Sequence, residues 1–145
     1  MATEDERYRQ SSQFRLWSFT PSQLASARET TNALARASIA ERLSSTPNAS
    51  APTSNTNTPD PDGTPSLPEF LTPAEEAVMV TFYTSELLRA GEHAEVGDVV
   101  KATGAAFFRR FYVTNSIMTY PPQDMIIVAL FFACKAEGMF PRIGE

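Results

Sequence analysis

Between Met125 and Cys134 the chain runs MIIVALFFAC, ten consecutive apolar residues that a helix would display on every side. Such a helix has no polar face to give to water, so it fits the middle of a helical packing and not its surface. It is also too short for a bilayer, which needs about 20 apolar residues, and no membrane role is expected. Lys135 and Glu137 follow directly. A charged pair at the mouth of so apolar a stretch either caps its own helix or contacts another protein.

Helices able to surround this run are marked by their start signals. Thr20-Pro21-Ser22-Gln23 and Thr72-Pro73-Ala74-Glu75 share one pattern: a threonine cap, proline at the first helical position, and Gln or Glu closing a capping box. The first predicts a helix over 20–43, with Leu24, Ala27, Leu34, Ile39 and Leu43 as a thin stripe suited to an accessory helix. The second opens a helix in which Val78 and Phe82 form one row and Met79, Tyr83 and Leu87 the next, predicting a broad buried face ended by Gly91. A further helix is expected from near Val96, with Val96, Val99, Val100, Ala106, Phe107 and Phe111 on one arc. Asn115 and Tyr120-Pro121-Pro122 close it, because a residue before proline is pushed out of the helical region. The apolar run then belongs to a helix starting near Pro122.

Residues 44–68, SSTPNASAPTSNTNTPDPDGTPSLP, carry too few aliphatic side chains to offset the entropy of ordering, and predict a disordered linker. The Asn48 sequon there is read as chance, while Thr46-Pro47, Thr58-Pro59 and Thr64-Pro65 offer hydroxyls to a proline-directed kinase. A net charge of -5 disfavours direct nucleic-acid binding. Cys134 is the single cysteine, so neither a disulfide framework nor a cysteine metal cluster is available. The charged start MATEDERYRQ lacks the apolar core of a secretory signal, giving an intracellular expectation. His93 falls in a polar loop, Glu75 and Glu76 suit the positive end of a helix dipole, and no phosphate-binding or metal-binding motif occurs. Neither a catalytic residue nor a cofactor is expected.

Two longer patterns converge on one family. LTPAEEAVMVTFYTSELL and AAFFRRFYVTNSIMTYPPQDMIIVALFFACKAE resemble the first part of a first cyclin box. The opening SSQ-x-R-x-W-x-F (Ser11, Ser12, Gln13, Arg15, Trp17, Phe19) and RRFY-x-x-NS-x-M-x-Y from Arg109 to Tyr120 resemble the cyclin H family. The likeness covers about residues 8–43 and 69–137. It implies an all-α fold: a partial cyclin box of three box helices, preceded by an N-terminal accessory helix and the linker. The corresponding organisation is a segment over 1–19, a helix over 20–43, a linker over 44–68 and the partial box over 69–145.

The resemblance further implies a nuclear regulatory subunit, not an enzyme. Its expected partners are a cyclin-dependent kinase, a RING-containing assembly factor and general transcription factor H. The complex would phosphorylate other such kinases and the RNA polymerase II tail. Lys135, in Ala133-Cys134-Lys135-Ala136-Glu137, matches the family lysine that hydrogen-bonds the kinase near its regulatory helix, and Glu137 accompanies it. Arg110 and Trp17 are expected to act structurally, with Arg110 reaching a carboxylate such as Glu75 or Glu76, or backbone carbonyls. Gly138 stands where a second acidic residue is common, and the family's glutamate on the fifth box helix has no counterpart. Missing later helices would leave Ile126, Ile127, Leu130 and Phe131 uncovered, unless Met139, Phe140 and Ile143 fold over them. The other function class is a cyclin-like protein-binding module that does not activate a kinase.

Overall fold

The computed structural model describes residues 3–45 and 69–139. They form α1 (Glu4–Gln10), α2 (Ser12–Trp17), α3 (Pro21–Ser45), α4 (Pro73–His93), α5 (Asp98–Thr114) and α6 (Pro122–Ala136), and no strand occurs among the described residues. Both capping boxes form. Thr20 Oγ1 accepts from the Gln23 N–H at 3.2 Å while Gln23 Oε1 accepts from the Thr20 N–H at 2.8 Å. Thr72 and Glu75 do the same at 3.3 and 2.7 Å. A third box, Thr3 with Glu6, starts α1 within the N-terminal segment.

Helices α4, α5 and α6 share the core, built on Leu87, Phe108, Tyr112, Ile117, Ile126 and Ala129, with Val100, Ala133 and Cys134 as a second cluster. Gly104 sits where the three helices come closest. A Cβ there would stand 3.3 Å from Leu130 Cδ2, 3.5 Å from Leu87 Cδ2 and 3.6 Å from Ala133 Cβ, so a larger residue would force the helices apart. The buried row of α5 is Val100, Gly104, Phe108 and Tyr112; of the expected arc Val100 is buried and Val96, Phe107 and Phe111 pack against the core, whereas Val99 and Ala106 face outward. An apolar search misses the row because a glycine interrupts it. In α4 the Val78 and Phe82 row is also exposed, whereas Tyr83 and Leu87 of the next row pack into the core and Met79 does not.

Gly91 does not end α4. The helix continues to His93, and the left-handed position past its end is held by Glu95 at φ 53°. The Val96 N–H reaches the Gly91 carbonyl at 3.1 Å and the Glu95 N–H reaches that of Glu92 at 3.0 Å, the paired bonds of a Schellman turn. Gly91 instead makes room for Lys101, whose Cγ would lie 2.7 Å from an added Cβ. Lys101 bonds Asp98 at 2.8 Å, which holds the Asp98 carboxyl below and the Lys101 ammonium above their ordinary values. His93 is thus the exposed last residue of α4 and not a loop residue.

The accessory helix α3 runs to Ser45, and of its apolar stripe Leu24, Ala27 and Ile39 are half-buried. Leu34 and Leu43 are exposed, and the buried members are Asn32 and Ala35. Asn32 Nδ2 donates to the Leu71 carbonyl at 2.8 Å and to Glu76 Oε2 at 3.1 Å. The Ser116 hydroxyl donates to Glu76 Oε1 and accepts from the Met118 N–H at 3.1 Å. Glu76 is therefore a buried hub, not a helix-dipole residue in solvent. Tyr112 closes the turn between α5 and α6 by donating to the Tyr120 carbonyl at 2.9 Å, and its burial pushes the phenol pKa strongly upward. The linker residues from 46 to 68, with Asn48, Thr46, Thr58 and Thr64, and the tail residues Phe140 and Ile143, lie outside the described residues.

Two measurements test this packing. Asn32→Ala strips partners from Leu71 and Glu76 and should destabilise the chain by about 1–3 kcal/mol in urea unfolding; an unchanged midpoint would remove the hub's importance. Glu75, accepting from the Thr72 N–H and then from its hydroxyl, is held below the ordinary carboxylate range. Its stabilisation is present above the unfolded carboxylate pKa and is lost as pH falls through the lower folded value. Glu75→Gln should flatten the acid limb of the stability profile, and an NMR titration placing Glu75 at or above the peptide value would contradict it.

Candidate functional site

The end of α6 is a built structure. Gly138 takes φ +67°, the Met139 N–H reaches the Cys134 carbonyl at 2.8 Å and the Gly138 N–H reaches that of Lys135 at 3.3 Å, completing a Schellman turn. This gives Gly138 a physical role at the position where an acid was expected: the left-handed conformation suits glycine. Glu137 caps the helix and its Oε1 accepts from Thr103 Oγ1 of α5 at 2.7 Å. Thr103 had no place in the sequence reading, because only the crossing of α5 and α6 brings it within reach. Lys135 is exposed, with Nζ 5.2 Å from the Phe131 ring centroid and no hydrogen bond or ion pair among the described residues. The turn bonds thus fix the backbone beneath a solvent-facing ammonium over the Phe131 ring, beside a carboxylate already oriented by Thr103.

Next to this pair lies an apolar strip. Ile127 is 72% exposed and Phe132 55%, with Val128 and Phe131 exposed between them, as two four-residue rows on α6. The expected patch is corrected in part: Ile126 is in the core and Leu130 packs against it, because α4 and α5 cover that side. Phe107, Phe111, Met125, Val128 and Phe132 line an open groove of about 500 Å³ between α5 and α6. Met139 is exposed and does not cover the strip's residues.

The two expected structural residues meet elsewhere. Arg110 reaches neither Glu75 nor Glu76; its guanidinium carbon lies 5.3 Å from the Trp17 ring centroid. Both carboxylates are taken, Glu75 by Thr72 and Glu76 by Asn32 and Ser116, so the indole face is the partner left. Trp17 thereby ties α2 to α5. The free thiol of Cys134 is buried in the second core cluster, as a small apolar side chain would be. Among the described residues no group of His, Cys, Asp and Glu has the makings of a metal site, and no helix is long and apolar enough to cross a membrane.

No family model matches the chain. Over 95% of its length it is 36% identical to cyclin CCL1 of Saccharomyces cerevisiae, and over 89% it is 34% identical to a probable cyclin-H of Echinococcus multilocularis. A chain in the structure of the Chaetomium thermophilum CAK complex bound to ATP-gamma-S shares 64% identity over 97% of this chain, with a TM-score of 0.80. Over nearly its whole length the chain is similar to the cyclin H family. A chain of the yeast TFIIK (Kin28/Ccl1/Tfb3) complex matches at 29% identity and a TM-score of 0.63, over 92% of this chain. The all-α core of α4, α5 and α6 accordingly has the cyclin-box fold. The chain spans about a third of the curated cyclin H relatives, 34% and 36% of their lengths, and 39% and 43% of the two solved chains.

Leaving four large apolar side chains of α6 open forgoes about 1.5–3 kcal/mol for each that a cover would bury. The isolated 145-residue chain should therefore self-associate, and Ile127→Lys with Phe132→Gln should shift it toward monomer in sedimentation velocity. A wild-type monomer with a cooperative melt would show that the strip is tolerated in water.

Proposed function

We propose that the chain is the kinase-facing part of a regulatory cyclin that binds and activates a cyclin-dependent kinase. The observation that carries this reading is the end of α6, where Lys135 is exposed and unbonded among the described residues while Glu137 is set by Thr103. An ammonium with three donors on a flexible stem can reach backbone carbonyls of a second chain, and a held carboxylate can accept from its N–H or hydroxyl groups. The likeness to a chain of the CAK complex supports the kinase as partner. The likeness to a chain of a complex that contains Tfb3 supports a three-component assembly with a RING-containing factor inside general transcription factor H. On this reading the protein is nuclear, residues 69–145 form the first part of the first cyclin box, and the kinase supplies all the chemistry toward other kinases and the polymerase II tail.

A second reading, a protein-binding module that does not activate, rests on the apolar strip of α6, which could bind a partner without Lys135. The two separate on one pair of variants. Lys135→Ala and Glu137→Ala should each weaken association with the kinase at least about tenfold, or ~1.4 kcal/mol, and lower its activity, with the melting temperature unchanged for Lys135→Ala and only slightly lowered by loss of the Thr103 bond for Glu137→Ala. Full kinase activation by both variants would leave only the strip as the binding surface.

A further inference from the structure

A second cleft, carrying charged side chains, lies away from the α6 end, between α2, α3, α4 and α5, with a volume of about 310 Å³. Trp17, Arg28, Arg109 and Arg110 all line it. Arg28 and Arg109 are exposed and make no hydrogen bond or ion pair among the described residues. Arg110, half-buried, is held only by the indole face of Trp17. In a chain of net charge -5, three cations thus gather in one concavity without carboxylate partners. The one acid lining the cleft is Glu76, and both its oxygens are turned to Asn32 and Ser116.

We propose that this cleft binds a phosphorylated segment of a partner protein, with Arg28, Arg109 and Arg110 holding the phosphate. Guanidinium groups present forked N–H donors that match phosphate oxygens, and stacking on Trp17 fixes the plane of Arg110 without using its donors. A phosphate dianion, unlike a single carboxylate, carries charge enough to engage three cations against the field of Glu76. The concave shape and the acidic remainder of the chain favour a peptide over a flat anionic membrane or a nucleic-acid backbone, which would need an extended basic surface. The site does not depend on the kinase contact at α6.

Trp17, the single tryptophan of the chain, reports on the site directly. The probe is the pentapeptide Ala-Ala-phosphothreonine-Pro-Ala, titrated into the intact protein at low and moderate salt while indole fluorescence is followed. Saturable binding at least about tenfold tighter than the unphosphorylated peptide is expected, weakening with salt and losing its signal in Trp17→Phe. Arg28→Gln combined with Arg109→Gln should abolish binding with the melting temperature and kinase association unchanged. Equal affinity for both peptides, or no saturable signal, overturns the proposal. So does binding of inorganic phosphate as tight as the phosphopeptide, which would mark an adventitious anion only. Binding confined to vesicles containing phosphatidylinositol phosphate would assign the cleft to lipid instead.

Discussion

Glu76 lies in the first turn of α4 with its carboxylate turned inward, and an isolated charge there would cost several kcal/mol. Asn32 of α3 and Ser116 of the turn before α6 each supply one oxygen with a donor, and Asn32 also holds the Leu71 carbonyl. One buried acid thereby joins α3, the segment entering α4, and the turn between α5 and α6. Such a network is costly when half made, so it selects one docking of α3 over others that its weak apolar stripe would allow. The positions of Trp17 and the arginine cleft follow from that docking, since α3 forms one wall of it.

The other end of the molecule rests on close approach. Gly104 and Ala133 let α5 and α6 meet near Leu87, and this brings Thr103 within 2.7 Å of Glu137. The same contact leaves Lys135 on the outside, over Phe131 and next to the open strip. A polar pair on a fixed helix end beside exposed apolar side chains is the arrangement of a protein interface, where buried area supplies affinity and placed charges supply orientation.

Local signals made much of this legible. Thr20, Thr72 and Pro122 announced their helices, since capping boxes and N-terminal prolines satisfy backbone groups within one turn. The motifs around Trp17 and Arg109 carried the family. The faces were harder to read. Val78 and Phe82 look like core by spacing, yet α4 has neighbours on one side only among the described residues; Gly104 looks like a break, yet it is the tightest contact. Glu76 and Asn32 are more than forty residues apart in sequence and meet only through tertiary packing. An asparagine in the middle of a long helix, where it is a poor helix former, was the signal available. The expectation that Arg110 reaches a carboxylate or backbone carbonyls fails at Glu75 and Glu76 because the competition of Thr72, Asn32 and Ser116 for them is invisible without the fold.

Amide hydrogen exchange on the protein alone and in complex with a cyclin-dependent kinase maps the kinase contact of α6 without a substitution. New protection is expected over residues 101–103 and 133–139, around Lys135, Glu137 and Thr103, with exchange in α1 unaltered. A kinase complex that forms and activates while the end of α6 exchanges as freely as before would contradict it.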